Sequence, residues 1–254
     1  MKNKYFLSAL LLSAILGNAQ ENEPKTDSLK EVIVSSSRID LPFKENSRTI
    51  QIITATDIKK LGVTNVADAL QQVAGIDVRR QGVNGMQADL YIRGGGFDQT
   101  LLLIDGIKVD DPQTGHHTLN LALPIELIKR IEVIKGPAAR IFGQNAFTGA
   151  VNIVTKDGFE NSLIAKVQAG SFGQFTTEAT GAINLETSSH IVHFSKNISE
   201  GYRHNTDFDN QNYVLKSQFN KNKLPIELLT SYSERKFGAN GFYGIPSAKE
   251  QYEE

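Results

Sequence analysis

From residue 158 onward the chain alternates apolar and polar residues in runs long enough to cross a membrane as strands. No other feature restricts the fold as much. Leu163, Ala165, Val167 and Ala169 interleave with Ser162, Lys166 and Gln168. Phe175, Thr177, Ala179 and Ile183 interleave with Thr176, Glu178, Thr180 and Asn184, and looser runs follow at 191–197, 213–219 and 226–232. Strands of about 9–11 residues span a bilayer when tilted, one face on lipid and the other on a polar interior. Gly170-Ser171-Phe172-Gly173 and Asn220-Lys221-Asn222-Lys223 read as compact turns, and 200–211 and the stretch from Glu234 onward as longer polar loops. Short turns on one side and long loops on the other are the habit of an outer-membrane barrel, although a soluble sandwich also alternates. So few strands leave two open edges, which hydrocarbon does not tolerate. The last residues, Tyr252-Glu253-Glu254, are polar and loop-like. The chain therefore reads as a truncated piece of a larger barrel protein.

The start of the chain points to export. Lys2 and Lys4 precede an apolar stretch at 5–16, and Gly17-Asn18-Ala19 supplies small residues for cleavage, so residues 1–20 are expected to be a signal peptide. Residues 21–47 form a polar arm. Within it, Glu31-Val32-Ile33-Val34-Ser35 is β-prone with no obvious partner in the chain. Such a segment can add itself to the sheet edge of another protein, or it can be the first strand of the next domain. The 27 basic and 28 acidic residues nearly cancel, which leaves no nucleic-acid footprint. The absence of cysteine excludes disulfides, thiolate zinc sites and a lipid-anchored N-terminus.

Residues 48–156 show a mixed α+β texture with short elements. The stretch 49–53 is strand-like. Thr56-Asp57 can cap a short helix that stops at Gly62. Thr64 or Asn65 caps a second helix, in which Val66, Ala69, Leu70 and Val73 keep helical spacing, and Gly75 ends it. Strands are expected at 76–78, 89–93, 101–104, 131–134 and 151–155, with a helical turn around 124–129.

Five motifs in this middle segment resemble the plug of TonB-dependent outer-membrane receptors. Ile92-Arg93-Gly94-Gly95-Gly96 is similar to the family's arginine–glycine turn, and Leu102-Leu103-Ile104-Asp105-Gly106 to its strand ending in Asp-Gly. Ile131-Glu132-Val133-Ile134-Lys135-Gly136-Pro137 resembles its most characteristic run. Phe142-Gly143 stands where Tyr-Gly is more usual, and Gly149-Ala150-Val151-Asn152-Ile153-Val154-Thr155 resembles the final plug strand. The motifs keep the family's order across 31–156. The resemblance implies an α+β plug domain (48–156) followed by the first antiparallel strands of a transmembrane β-barrel (157–254). A complete barrel of this type has about 22 strands.

The resemblance also implies a function. The family takes up scarce ligands such as siderophores or cobalamin across the cell outer membrane, powered by TonB and its inner-membrane energising complex. Residues 31–35 (Glu31, Val32, Ile33, Val34, Ser35) stand where the family carries its TonB box. The loops expected to face the ligand are 81–87, with Asn84, Met86 and Gln87, and 108–120, with Asp110, Asp111, His116 and His117. Overall resemblance leans toward cobalamin-type receptors.

The motif residues themselves read as structural. Arg93 and Glu132 suit a buried ion pair or are two unrelated surface charges, Asp105-Gly106 reads as a hairpin turn, and Gly94 and Gly136-Pro137 as punctuation between elements. No metal site is expected at the two histidines, because adjacent histidines rarely face one point. Asp207, Asp209 and Asn210 offer oxygens that suit calcium, at a spacing that is not diagnostic. No hydrolase elbow, His-Glu-x-x-His or P-loop is present, so neither an enzyme nor a cofactor is expected. The alternative is a soluble periplasmic binding or signalling module consisting of the plug alone.

Overall fold

A computed structural model describes residues 33–34, 41–42, 50–82, 86–111, 113–137, 142–219, 224 and 226–242. The expected signal peptide lies outside them. Two short strands come first, β1 (Ile33–Val34) and β2 (Leu41–Pro42), paired antiparallel as Ile33 with Pro42 and Val34 with Leu41. The segment expected to lack a partner in its own chain therefore has one. Pro42 carries no N–H, which keeps this ladder weak as well as short.

The central sheet has the order β3-β8-β9-β6-β7, with β3 at Ile50–Thr54, β6 at Thr100–Ile104, β7 at Ile107–Val109, β8 at Ile128–Lys135 and β9 at Gly149–Thr155. Strands β6 and β9 run parallel and the other pairs antiparallel. The central strand β9 is mostly apolar and β8 keeps Ile131, Val133 and Ile134 buried, because both of their faces are covered. On one face Ile131, Val133, Val151 and Ile153 pack with helical residues Ile58, Val66 and Leu70 and with Val73 just beyond the second helix. On the other, Ile134 and Ala150 pack with Ile50, Leu101 and Leu103.

The helices are α1 (Ala55–Leu61) and α2 (Val66–Gln71). Thr54, the last residue of β3, caps α1 rather than Thr56 or Asp57. Its Oγ1 accepts from the Asp57 N–H at 3.2 Å while the Asp57 carboxylate accepts from the Thr54 N–H at 2.9 Å. This reciprocal box places Asp57 inside the first turn, three residues after the cap. Asn65 caps α2, and Gly62 ends α1 in the left-handed region. A separate hairpin joins β4 (Ile76–Gln81) and β5 (Gln87–Ile92).

The second sheet is an antiparallel wall of β10 (Ser162–Ala169), β11 (Phe175–Asn184), β12 (Ser188–Ser199), β13 (Phe208–Phe219) and β14 (Ile226–Phe237), in sequence order. Its register sorts the side chains onto two faces. One face carries the row Leu163, Gly181, Val192, Leu215, Thr230 and, one step along, Ala165, Ala179, Phe194, Tyr213, Tyr232. Leu163 is 85% exposed and Val192 57%. The other face carries Lys166, Glu178, Ser195, Asn212 and Ser233, and is turned to the central sheet. An exposed apolar face opposite a polar one is what a lipid-facing barrel wall requires. It is not what a soluble plug-only module would carry.

The aromatic rings of Phe194, Tyr213 and Tyr232 lie side by side, with centroids 5.1 and 6.1 Å apart. The next row outward is Thr177, Lys196, Gln211 and Glu234, yet β10 still shows Val167 at that level. The apolar band thus runs diagonally across the register, as it must when strands are tilted against the bilayer normal.

Two expectations about the connections change. The strands are longer than the clearest alternation, so the loop after β12 covers only 200–207, and 234–237 continue β14. The compact turn at 170–174 also lies at the same end of the wall as that longer loop. The Phe172 carbonyl accepts from the Glu200 N–H at 2.9 Å and from Ser199 Oγ at 3.0 Å. The tight connection at the opposite end is 185–187, where the Leu185 N–H donates to the Ser188 carbonyl at 2.8 Å.

Candidate functional site

Both loops expected to face a ligand arrive at the end of the wall that carries 200–207. Met86 packs with Phe208, Phe242 and Phe237. Asn120 Nδ2 donates to the Met86 carbonyl, and His117 Nδ1 lies 3.2 Å from the same oxygen. Arg235 Nη2 of β14 donates to the Asn120 carbonyl at 2.9 Å. The two plug loops are thus tied to each other and to the wall.

The individual side chains divide differently from the expectation. Met86 is 1% exposed and Gln87 2%; Met86 is packed among aromatic rings and Gln87 lines an internal cavity. Asn84 lies outside the described residues. Asp110 is half-exposed and pairs with Lys108 at 2.7 Å. His116 Nδ1 sits 2.9 and 3.0 Å from the two oxygens of Asp89, and its ring lies 4.5 Å from that of Phe97. His117 turns instead to Met86 and Asn120. Among the described residues, no group of three or more His, Cys, Asp or Glu is placed to hold a metal.

Asp111 is spent on its own turn. Its carboxylate accepts from Thr114 Oγ1 at 2.6 Å and from the Gln113 and Thr114 N–H groups. The Thr114 hydroxyl and these amides outweigh partial burial and hold its pKa down to about 2, from an ordinary 3.8. A folded value below the unfolded one means that the turn's stabilisation is complete above about pH 4 and fades only as pH falls through about 2. Thr114→Val is expected to bring the Asp111 titration back toward about pH 4, read from its carboxyl carbon shift in a pH series.

The oxygens of Asp207, Asp209 and Asn210 do not all lie in one loop. Asp209 and Asn210 belong to β13 rather than to a loop, and the Asp209 carboxylate lies 3.3 Å from Lys196 Nζ.

The motif residues form the frame behind these loops. Arg93 is exposed and adopts φ +52°, with its N–H donating to the Gly75 carbonyl at 3.1 Å. It does not form the expected pair with Glu132. Glu132 is fully buried and receives Arg130 Nε at 2.7 Å and Asn152 Nδ2 at 3.1 Å. Arg130 shares β8 with Glu132 two residues away, on the same face, whereas Arg93 is carried away by its left-handed turn. Asp105-Gly106 does form the β6–β7 hairpin turn. Gly136, at φ +118°, donates its N–H to the Thr148 carbonyl at 2.8 Å. Gly149 tolerates no side chain, since a Cβ there would lie 2.4 Å from the Ile134 carbonyl oxygen.

Asp89, Phe97, Asn120 and Arg235 help build the site and were not singled out from sequence. Asp89 opens a strand pattern and Arg235 falls in a stretch that reads as a polar loop, and nothing local reveals their distant partners. A cavity of about 800 Å³ lies between plug and wall, lined by Asn120, Gln168, Asn197, Asn210 and Asn212 among others.

Residues 42–150 match the family model described as TonB-dependent Receptor Plug Domain. The vitamin B12 transporter BtuB of Vibrio vulnificus strain YJ016 is 30% identical over 177 residues, covering 68% of this chain and 28% of that protein. The same transporter from strain CMCP6 is 31% identical over 145 residues, covering 56% and 23%. The chain thus spans about a quarter of the length of these curated relatives. The pyoverdine outer membrane receptor FpvA from Pseudomonas aeruginosa PAO1 superimposes with a TM-score of 0.66 at 17% identity, covering 85% of this chain and 33% of that one. The siderophore receptor PirA from Acinetobacter baumannii gives 0.54 at 23% identity, covering 73% and 31%. These relatives are named as transporters and receptors, and none as an enzyme. With the plug motifs in order, the helix-backed mixed sheet and the docked antiparallel wall, the chain belongs to the TonB-dependent receptor family.

Proposed function

We propose that this chain forms the plug and first wall strands of an outer-membrane receptor for energy-coupled uptake of a scarce small molecule. In this reading residues 1–20 direct export, the arm reaches to residue 47, the plug covers 48–156 and the barrel begins at 157. The observation that carries it is the wall: polar toward the plug and apolar outward. Two BtuB relatives favour a cobalamin-type ligand, and the fold is shared with iron-siderophore receptors. The outer loops of the plug receive the ligand, with Asp110, the His116–Asp89–Phe97 group and the exposed Phe172 and Tyr202 of the wall loops at that end.

Coupling to TonB and its inner-membrane energising complex would run through residues 31–35. The two-residue pairing of β1 with β2 is short enough to be exchanged for a strand of the partner, which is how an extended segment joins another sheet. Deleting residues 31–35 from the receptor that contains this chain is expected to reduce energy-dependent uptake of labelled cobalamin to background, with binding to whole cells unchanged. Uptake at the wild-type rate after the deletion would sink the reading.

A further inference from the structure

We propose that Lys216 is the clasp by which the wall holds the plug, and that its release from Asp105 and Thr155 frees the plug during transport. This rests on the transport reading above. Lys216 projects from the inner face of β13, where its register neighbours are Ile191 and Leu229. Those residues belong to an apolar cluster with Leu127 and Val214, and Lys216 itself is buried. An ammonium in such surroundings persists only if its donors are met. The plug supplies most of what meets them. Lys216 Nζ donates to Thr155 Oγ1 and to the Lys156 carbonyl at 3.1 Å, and lies 3.7 Å from the Asp105 carboxylate. Glu227, from the neighbouring wall strand, lies 3.6 Å away on the other side.

The plug end of this contact continues inward. Asp105 is a non-glycine residue at φ +49°, held there by the Thr155 N–H donating to its carboxylate at 2.7 Å and by its own N–H donating to the Ile153 carbonyl at 2.9 Å. The next residue, Gly106, donates its N–H to Asn152 Oδ1 at 3.0 Å, and Asn152 Nδ2 donates to the buried Glu132. One polar chain thus runs Arg130, Glu132, Asn152, the 105–106 turn, Thr155, Lys216, Glu227. It links three of the plug motifs to the wall, at the point where the plug ends and the chain crosses to β10. Such networks are cooperative, so removing the ammonium loosens the turn beyond the single contact.

The test is hydrogen exchange on the purified receptor in detergent micelles, comparing wild type, Lys216→Met, Lys216→Arg and Asp105→Asn. Lys216→Met and Asp105→Asn are each expected to speed exchange of the Gly106 and Thr155 amides at least about tenfold, with the β3–β8 amides unchanged, and Lys216→Arg to restore slow exchange. A second measurement is passage of a bulky antibiotic into cells lacking TonB. It should rise several-fold with Lys216→Met and return with Lys216→Arg, while cobalamin binding at the cell surface stays constant. Wild-type exchange at Gly106 and Thr155 in both Lys216→Met and Asp105→Asn overturns the clasp, as does faster exchange spread evenly over the whole plug. Uptake that ignores deletion of residues 31–35 counts against the transport reading, and the exchange comparison still judges the clasp.

Discussion

Val192→Arg in the wall is expected to cost about 2–4 kcal/mol of folding stability in a bilayer, the penalty for a cation on the lipid face near mid-depth. Val192 lies at the centre of an outward row, between Gly181 on β11 and Leu215 on β13. A guanidinium there has no polar side chain on the strand to either side in its row and must bend the bilayer or reach for the rim. Five residues further along the same strand, Asn197 points to the opposite face and lines the plug–wall cavity. Asn197→Arg is therefore expected to change stability by less than about 1 kcal/mol, since the charge enters a polar interior. Urea titrations of the receptor folded in lipid vesicles would compare the two. Equal penalties at 192 and 197 would mean that the two faces are wrongly assigned, and with them the membrane reading of the wall.

The second large effect concerns the buried carboxylate of β8. Glu132→Ala leaves Arg130 with most of its surface inside the protein and takes the acceptor from Asn152 Nδ2. Removing one partner of a buried pair typically costs about 3–5 kcal/mol, because the remaining charge is stranded. Glu132→Gln keeps an acceptor for Asn152 and is expected to lose about half as much. Denaturant unfolding followed by circular dichroism would order the variants as wild type, Gln, Ala. A Glu132→Ala protein as stable as wild type would show that water reaches Arg130 and that the buried chain carries no load. The same series bears on coupling, since Glu132 lies near the inner end of the chain that leads to Lys216.

How much of this was visible in the residues depends on how local the cause was. The strands of the wall were legible because period-2 alternation is written into neighbouring positions, as at 162–169 and 175–184. The ends of β12, β13 and β14 were not, because Lys196, Asp209 and Glu234 sit in the polar rim of a lipid-facing strand and resemble loop residues by composition. The plug core was legible from Val66, Ala69, Leu70, the apolar positions within 131–134 and the apolar run of β9. The cap of α1 was misplaced by two residues because a capping box is defined by the end of the preceding strand, which no short window shows. The partners of charged groups were least legible. Glu132 was given the wrong arginine, and neither Lys216 nor Asp89 attracted notice, since their partners lie 50 or more positions away or across a loop. The polar loop between the β4 and β5 strands makes Met86 look outward by composition. Its burial comes from Phe208, Phe237 and Phe242, which only the tertiary fold brings near.

The pairing of β1 with β2 sets a threshold for whatever engages residues 31–35. A competing strand sees only the fraction of molecules in which that pairing is open, so its apparent affinity is its intrinsic one scaled by that fraction. If the hairpin is closed about nine times in ten, an incoming strand binds about tenfold more weakly than it would to a free segment. Anything that shifts the arm from closed to open then changes occupancy by up to the same factor, without a new contact to the partner. Two residue pairs would then be enough to set how readily a partner strand takes up the segment.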